Sequence, residues 1–409
     1  MNDRQRKCRR TINAPDRRGS TRGPAIYDAA PLAALSLAVV LIFPACAPNK
    51  ILMSTPRAGD AWRMYGGGPG RMNASSGAVV PPLSRAWEYD AGSGFGPASA
   101  AVAESTVFVG TLTGEVRALN LYTGRETGAY DFGAAMFGTP VVLGGRIVVG
   151  LSGEGENLVC YNLRTGSVEW EVETGDIESS LLYAGGRIVA AGLDGSVAAY
   201  DTAVGKELWR YELPEAPGRP GIRSAPASDG ERIVFGTDGG DVLALELATG
   251  ALSWKVAAVG AVFAAPSIVG GKAFVCSLDG KITAIDLVTG EILWTFTAGV
   301  PLYGGAAAGR GMIVAGTSGG EVISLRESDG SVLWRTRTAG GVGSAPLVCG
   351  AFVYAGDLQH NLYAFDASTG EEVWREKLDG RIRATPVAAE GRLVVLAEDR
   401  SVIGFGETR

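Results

Sequence analysis

The stretch Ala284-Ile285-Asp286-Leu287-Val288-Thr289-Gly290-Glu291-Ile292-Leu293-Trp294 decides how the rest of the chain reads. Ile282, Ala284 and Asp286 alternate with Thr283 and Ile285, the period of two that marks a strand. Thr289-Gly290 supplies a turn, because Gly adopts positive φ without steric cost. From Ile292 to Phe296 branched and aromatic residues resume an extended pattern. The segment predicts a strand, a tight turn and a second strand.

It returns about every forty residues, the period of a repeat architecture. Turn glycines fall at Gly124, Gly166, Gly205, Gly250, Gly290, Gly330 and Gly370. Four residues before them stand Asn120, Asn162, Asp201, Glu246, Asp286, Arg326 and Asp366. Four residues after stand Gly128, Trp170, Trp209, Trp254, Trp294, Trp334 and Trp374. Trp87 adds a position at the front, so seven of the eight Trp share one register.

Four strand-like runs fit each period. In the fifth unit they are Val262–Val269, Lys272–Ser277, Lys281–Asp286 and Ile292–Thr297. Leu278-Asp279-Gly280 between the second and third is a hairpin signal. Leu358-Gln359-His360 and Glu398-Asp399-Arg400 depart from it. Four short strands per unit, without a helix-period segment, predict an all-β chain folded as a β-propeller of four-stranded blades. Seven full units run from Ala98 to Leu378. The tail supplies three further strands, Ile382–Ala389, Arg392–Ala397 and Ser401–Gly406, and Ser84–Asp90 is an orphan fourth strand carrying Trp87. Joining the two ends makes an eighth blade closed by the N-terminal strand, and leaves no open array edge. Residues 84–409 are thus read as the propeller, a single monomeric ring. Residues 46–83 are read as a linker in which Trp62–Gly67 docks on the body and Met72–Pro82 forms loop.

Charge and leader narrow the function classes. Residues 1–45 hold eight of the 37 basic and three of the 43 acidic residues, leaving 29 and 40 for the body, a balance of −11. A basic footprint for nucleic acid is missing. Leu32–Phe43 is a twelve-residue apolar run behind an Arg-rich start, the layout of a secretory signal and too short for a membrane-spanning helix. It ends in Ala45-Cys46, which resembles a bacterial lipoprotein signal with Cys46 as the lipidated first residue. Phe43 and Pro44 depart from that pattern. Ala47 in place of Asp resembles outer-membrane sorting, so the expected location is the periplasmic side of the outer membrane, held by a lipid anchor only.

Cys160, Cys276 and Cys349 lie in separate repeats and read as buried free thiols. His360 is the single His, in the hairpin of blade 7, which excludes a His-rich zinc site. No catalytic motif stands out among the turn glycines. One slot does vary where its neighbours repeat. Each first strand opens with an apolar residue, a variable residue and two small ones, usually before Pro. The variable slot holds Pro97, Phe137, Glu178, Arg223, Phe263, Tyr303, Gly343 and Arg383. The first strand of a propeller blade is innermost, so these side chains are expected to ring one mouth of the channel. Aromatics and Arg dominate binding hot spots, making Phe137, Glu178, Arg223, Phe263, Tyr303 and Arg383 candidates for partner binding.

The pattern Ala-x-Asp-x-x-Thr-Gly-x-x-x-Trp, over roughly residues 84–406, resembles the PQQ-like propeller repeat. The resemblance implies that Trp87, Trp170, Trp209, Trp254, Trp294, Trp334 and Trp374 pack against the next blade near its turn Gly. Gly128 would leave one joint unsupported. The family includes quinoprotein dehydrogenases, which hold PQQ and Ca²⁺ in the channel. It also includes non-enzymatic envelope lipoproteins that bind the outer-membrane β-barrel insertase. Length, blade number and signal type resemble the second branch. A vicinal Cys pair, long insertions and a clustered acidic loop, which the first implies, are missing, so no PQQ, Ca²⁺ or other metal is expected.

Overall fold

In a computed structural model, residues 50–52, 61–215, 218–257 and 260–407 are described. The expected signal over residues 1–45 and Cys46 lie outside the described residues. The described residues contain strands and no α-helix. Eight four-stranded antiparallel sheets follow one another, blades 1–7 in chain order from Ala101 to Lys377. Blade 8 is built from Val387–Ala389, Arg392–Leu396 and Ser401–Glu407, with Leu83–Asp90 as its outer strand. That outer strand pairs from Leu83 with Glu407 to Asp90 with Ser401. The chain ends are therefore one sheet.

Two elements differ from the sequence reading. The first strands are short: in blade 5 only Ser267–Val269 is strand, not Val262–Val269. Pro266 has no N–H to offer the ladder, and Val262 donates instead to the Thr237 carbonyl of blade 4. Residues before the Pro thus cross toward the channel. Within Met72–Pro82, read as loop, Ala74–Ser75 pairs in parallel with Val348 and Cys349 of blade 7.

The turn of the opening stretch shows why the motif recurs. Asp286 Oδ1 accepts from the N–H of Val288 at 3.0 Å and of Thr289 at 2.8 Å, and from the Thr289 hydroxyl at 3.0 Å. Gly290, at φ 76°, donates back to the Asp286 carbonyl at 2.9 Å. The register then shifts between Ala284 and Ile285, leaving Leu293 as a bulge residue. A bulge re-aims the next side chain. Here that side chain is Trp294.

Each indole packs onto the neighbouring blade's turn. At the pairs Trp87/Gly124, Trp170/Gly205, Trp209/Gly250, Trp254/Gly290, Trp294/Gly330 and Trp334/Gly370, a Cβ on the Gly would stand 2.5–2.8 Å from the indole. The same indoles donate Nε1–H to a carbonyl of that turn, as Trp254 does to Leu287 at 2.9 Å. Trp374 has no such turn, because blade 8 takes its third and fourth strands from opposite chain ends; it meets Phe405 edge-on at 5.9 Å. Gly128 corrects the expectation of an unsupported joint. Lys50–Leu52 fills the vacated place: a Cβ on Gly128 would lie 2.5 Å from the Lys50 carbonyl and 3.0 Å from Ile51 Cα.

Turn hydrogen bonds hold the Asp286 and Asp366 carboxyls below their ordinary range; the backbone N–H of Thr289 leads for the first and the Ser368 hydroxyl for the second. A depressed carboxyl stabilises the fold above its unfolded pKa of about 3.9 and loses that contribution as pH falls through the folded value. Urea midpoints should therefore drop below about pH 4, and Asp286→Asn with Asp366→Asn should flatten that drop. Deleting Leu83–Asp90 should abolish single-transition unfolding of the ring, read by circular dichroism.

Candidate functional site

The segment after residue 60 closes one end of the channel. Trp62 exchanges two 2.8 Å backbone hydrogen bonds with Val102 of blade 1. Val142 of blade 2 then donates to the Arg63 carbonyl, Ser228 of blade 4 to Pro69, and Ile268 of blade 5 to Gly70. Ala308 of blade 6 donates to Met72 and Val348 of blade 7 to Asn73. The innermost strands would otherwise present these N–H groups unpaired inside the ring, which is costly. The segment is a belt that satisfies them blade by blade.

Arg71 locks the belt. It is 1 % exposed. Its guanidinium donates to the carbonyls of Tyr65 at 2.6 Å, Pro226 at 3.0 Å, Ser180 at 3.2 Å and Leu181 at 2.7 Å. These groups come from the belt itself and from the segments that lead into the first strands of blades 3 and 4. Burial without a carboxylate partner pulls its pKa down to about 10, so it remains a cation at neutral pH. Tyr65 lies beneath the Arg71 guanidinium at 5.6 Å.

On the other side of the belt the channel remains open as a cup of about 600 Å³. Tyr65 forms part of its floor, and its hydroxyl faces Thr385 Oγ1 at 3.4 Å. Small residues such as Ala225, Ala264 and Gly304 line the wall. All eight residues of the variable slot line it too. Phe137 and Phe263 are half-buried, while Tyr303 is 52 % exposed. Arg223 bridges Glu178 at 3.3 Å and also pairs with Asp238, and its guanidinium lies 5.6 Å from the Phe263 ring. Burial raises the Asp238 carboxyl, with Arg223 pulling the other way. Across the mouth, Arg383 reaches Glu398 at 3.4 Å beside Arg381 at 2.7 Å. The rim thus alternates aromatic faces with ion pairs. Tyr65, Phe95 and the buried Ser344 hydroxyl, which has no hydrogen-bond partner, also face the cup but escaped sequence reading. They sit outside the repeat's variable slot.

The lining does not suit a PQQ–Ca²⁺ pair. Its carboxylates are Glu178 and Glu398, each paired with Arg, whereas Ca²⁺ takes about six to eight oxygen ligands. Glu88, Asp379 and Asp399 gather within 4.8 Å at an exposed place, as solvated carboxylates often do. Burial pushes the Cys160 and Cys276 thiols up to about 12, too high for a nucleophile at neutral pH. His360 takes φ 73°, as Arg400 takes 77° in blade 8, at the place where the hairpins of blades 3–6 have Gly, and its Nδ1 lies 2.6 Å from the Asp379 carbonyl. Asp357, fully buried at the start of that hairpin, accepts from Gly340, Gln359, Asn361 and Tyr363. These residues stabilise a hairpin that lacks its Gly.

Fold and cup define the class: an eight-bladed propeller of PQQ-like repeats whose channel is a blind cup. The family model described as outer membrane protein assembly factor BamB matches residues 62–220, 144–278, 193–336, 278–357 and 350–408. The chain belongs to that family. A BamB from Xanthomonas campestris pv. campestris is 33% identical over 88 residues, 20% of this chain and 22% of that protein. One from Alkalilimnicola ehrlichii is 29% identical over 146 residues, 32% and 36% respectively. The matched stretches thus span about a fifth and a third of these relatives. The BamB structure from Moraxella catarrhalis superposes with TM-score 0.67 at 19% identity, covering 79% of this chain and 99% of that one. Quinohemoprotein alcohol dehydrogenase from Comamonas testosteroni superposes at 0.71 with 14% identity, covering 86% and 81%. At such identities the superpositions speak for the fold alone.

Replacing Arg71 with Leu would strand four buried carbonyls. The expected loss is about 1–3 kcal/mol, the cost of buried acceptors left unpaired, read from the urea midpoint, with faster tryptic cleavage at Arg63 as the belt loosens.

Proposed function

We propose that this protein is a non-enzymatic, protein-binding scaffold of the cell envelope, resembling BamB in the assembly of outer-membrane β-barrel proteins. The observation that carries the reading is the rim of the cup: aromatic faces and Arg side chains exposed on a rigid ring, in a chain of the BamB family. Such residues supply most of the energy of protein interfaces because they bury large area with few rotamers to freeze. The partner is a protein, and the outer-membrane β-barrel insertase is the first candidate. The acidic body leaves nucleic acid out. Lipidation at Cys46 would hold a monomeric ring on the periplasmic side of the outer membrane.

The quinoprotein enzymes share the ring. Their reading requires a Ca²⁺ cage that the paired carboxylates of the cup do not offer. Absorbance and metal analysis after incubation with PQQ and Ca²⁺ separates the two. Stoichiometric uptake of both would sink the scaffold reading.

Arg223→Ala, Phe263→Ala and Tyr303→Ala together should weaken capture of the insertase at least about tenfold, with the thermal transition unchanged, as loss of two or three hot-spot side chains does. Photo-crosslinking from Tyr303 in intact envelopes identifies the partner directly. Unaltered insertase capture by the triple variant would remove the cup from the interface.

A further inference from the structure

The joint between blades 1 and 2 is built differently from its neighbours. Gly128 stands at the Trp position of the outer strand of blade 1, and the register shift that precedes Trp elsewhere is kept there, between Ala118 and Leu119. Gly166 keeps its place and its φ of 68° in the facing turn. The receiving half of the joint is intact; only the indole is absent. Lys50–Leu52 occupies its place. Side-chain carbons of Lys50 and Leu52 lie where a Cβ on Gly166 would come within 2.9 and 3.1 Å, as the indole does at the six Trp–Gly joints. Ile51 is 1 % exposed and belongs to the buried cluster that includes Phe108, Ala118 and Tyr161. Its N–H donates to the Tyr161 hydroxyl at 3.2 Å, much as the indoles donate across their joints.

We propose that Lys50–Leu52 is an interaction segment that replaces the missing tryptophan, latching blades 1 and 2 together, and that this latch couples the ring to a lipid surface. Gly128 is required because any side chain there would expel the backbone of Lys50 and Ile51. The other joints are completed by residues of the blades themselves. This one is completed by the chain just downstream of Cys46. Three residues, or four Cα–Cα steps, separate Cys46 from Lys50, a reach of at most about 14 Å. With Cys46 acylated, the edge of the ring at blades 1 and 2 is held against the membrane. That second half rests on the lipoprotein reading of Cys46; the latch itself does not.

Hydrogen exchange on the soluble chain tests the latch. Ile51→Asp should lower protection of the Glu126–Asp131 amides by roughly tenfold or more, since local opening sets their exchange. Adding Gly128→Trp to that variant should restore it, because an indole then fills the joint and finds Gly166 waiting. A chain beginning at Ala61 repeats the comparison without introducing a charge. Unchanged protection in both weakened chains, or no rescue by Gly128→Trp, overturns the latch. For the membrane arm, the acylated protein is placed in phosphatidylethanolamine–phosphatidylglycerol vesicles doped with brominated lipid. A fluorophore on Ser167→Cys of blade 2 should be quenched more strongly than one on Thr295→Cys of blade 5. Equal quenching, with the exchange result as expected, overturns the lipid coupling while leaving the latch and the Cys46 reading standing.

Discussion

The contact between an indole and a turn glycine carries the architecture. A blade is a small sheet whose two faces cannot be buried alone, so it is stable only against its neighbours. Trp on the outer strand is the largest group available to bridge the widening gap between blades. Each indole buries on the order of 150–250 Å², about 4–6 kcal/mol of transfer free energy before ordering costs. The bulge turns it out of its own sheet, and the Gly lets the next turn approach its face. Removing Cβ from one partner and adding a large ring to the other are two halves of one solution. Their co-occurrence at fixed spacing explains why so short a motif specifies so large a ring.

Closing a ring creates a second difficulty at its centre. The innermost strands offer N–H groups toward a channel, and no further strand of their own blade can pair with them. In this protein the belt from Trp62 to Ser75 supplies the missing acceptors, and Arg71 ties it to the segments that lead into blades 3 and 4. The consequence is functional. A channel sealed at one end admits no threaded chain, only what can enter and leave by the same mouth. It leaves the variable residues at the open mouth as the place where this chain differs from an ideal repeat.

The repeat was legible because strand period, turn chemistry and Trp spacing all report on contacts between neighbours. The slot at Phe137, Arg223, Phe263 and Tyr303 was legible for a related reason: the repeat places one residue per blade in the same spot, so variation there stands out. The belt was not. Trp62, Tyr65 and Arg71 belong to no repeat, and their partners lie up to hundreds of residues away. A buried Arg in a linker reads as solvated until the carbonyls around it are seen. The ends of the first strands were likewise overextended, since an apolar run looks the same whether it pairs in a ladder or lines a channel.

Gly128 shows where the division falls. From the residues alone it is a departure from register and predicts a weak joint. The vacancy it leaves, however, has a shape that only the assembled blades define, and Ile51 enters it from outside the repeat. Sequence by itself determined the number of blades, their strand order and the place where the ends meet, because those follow from local patterning. Tertiary structure alone decided which mouth is closed, what the floor of the cup is made of, and what stands in for the absent Trp. Each of those depends on non-repeating segments finding partners across the ring, which no local pattern encodes.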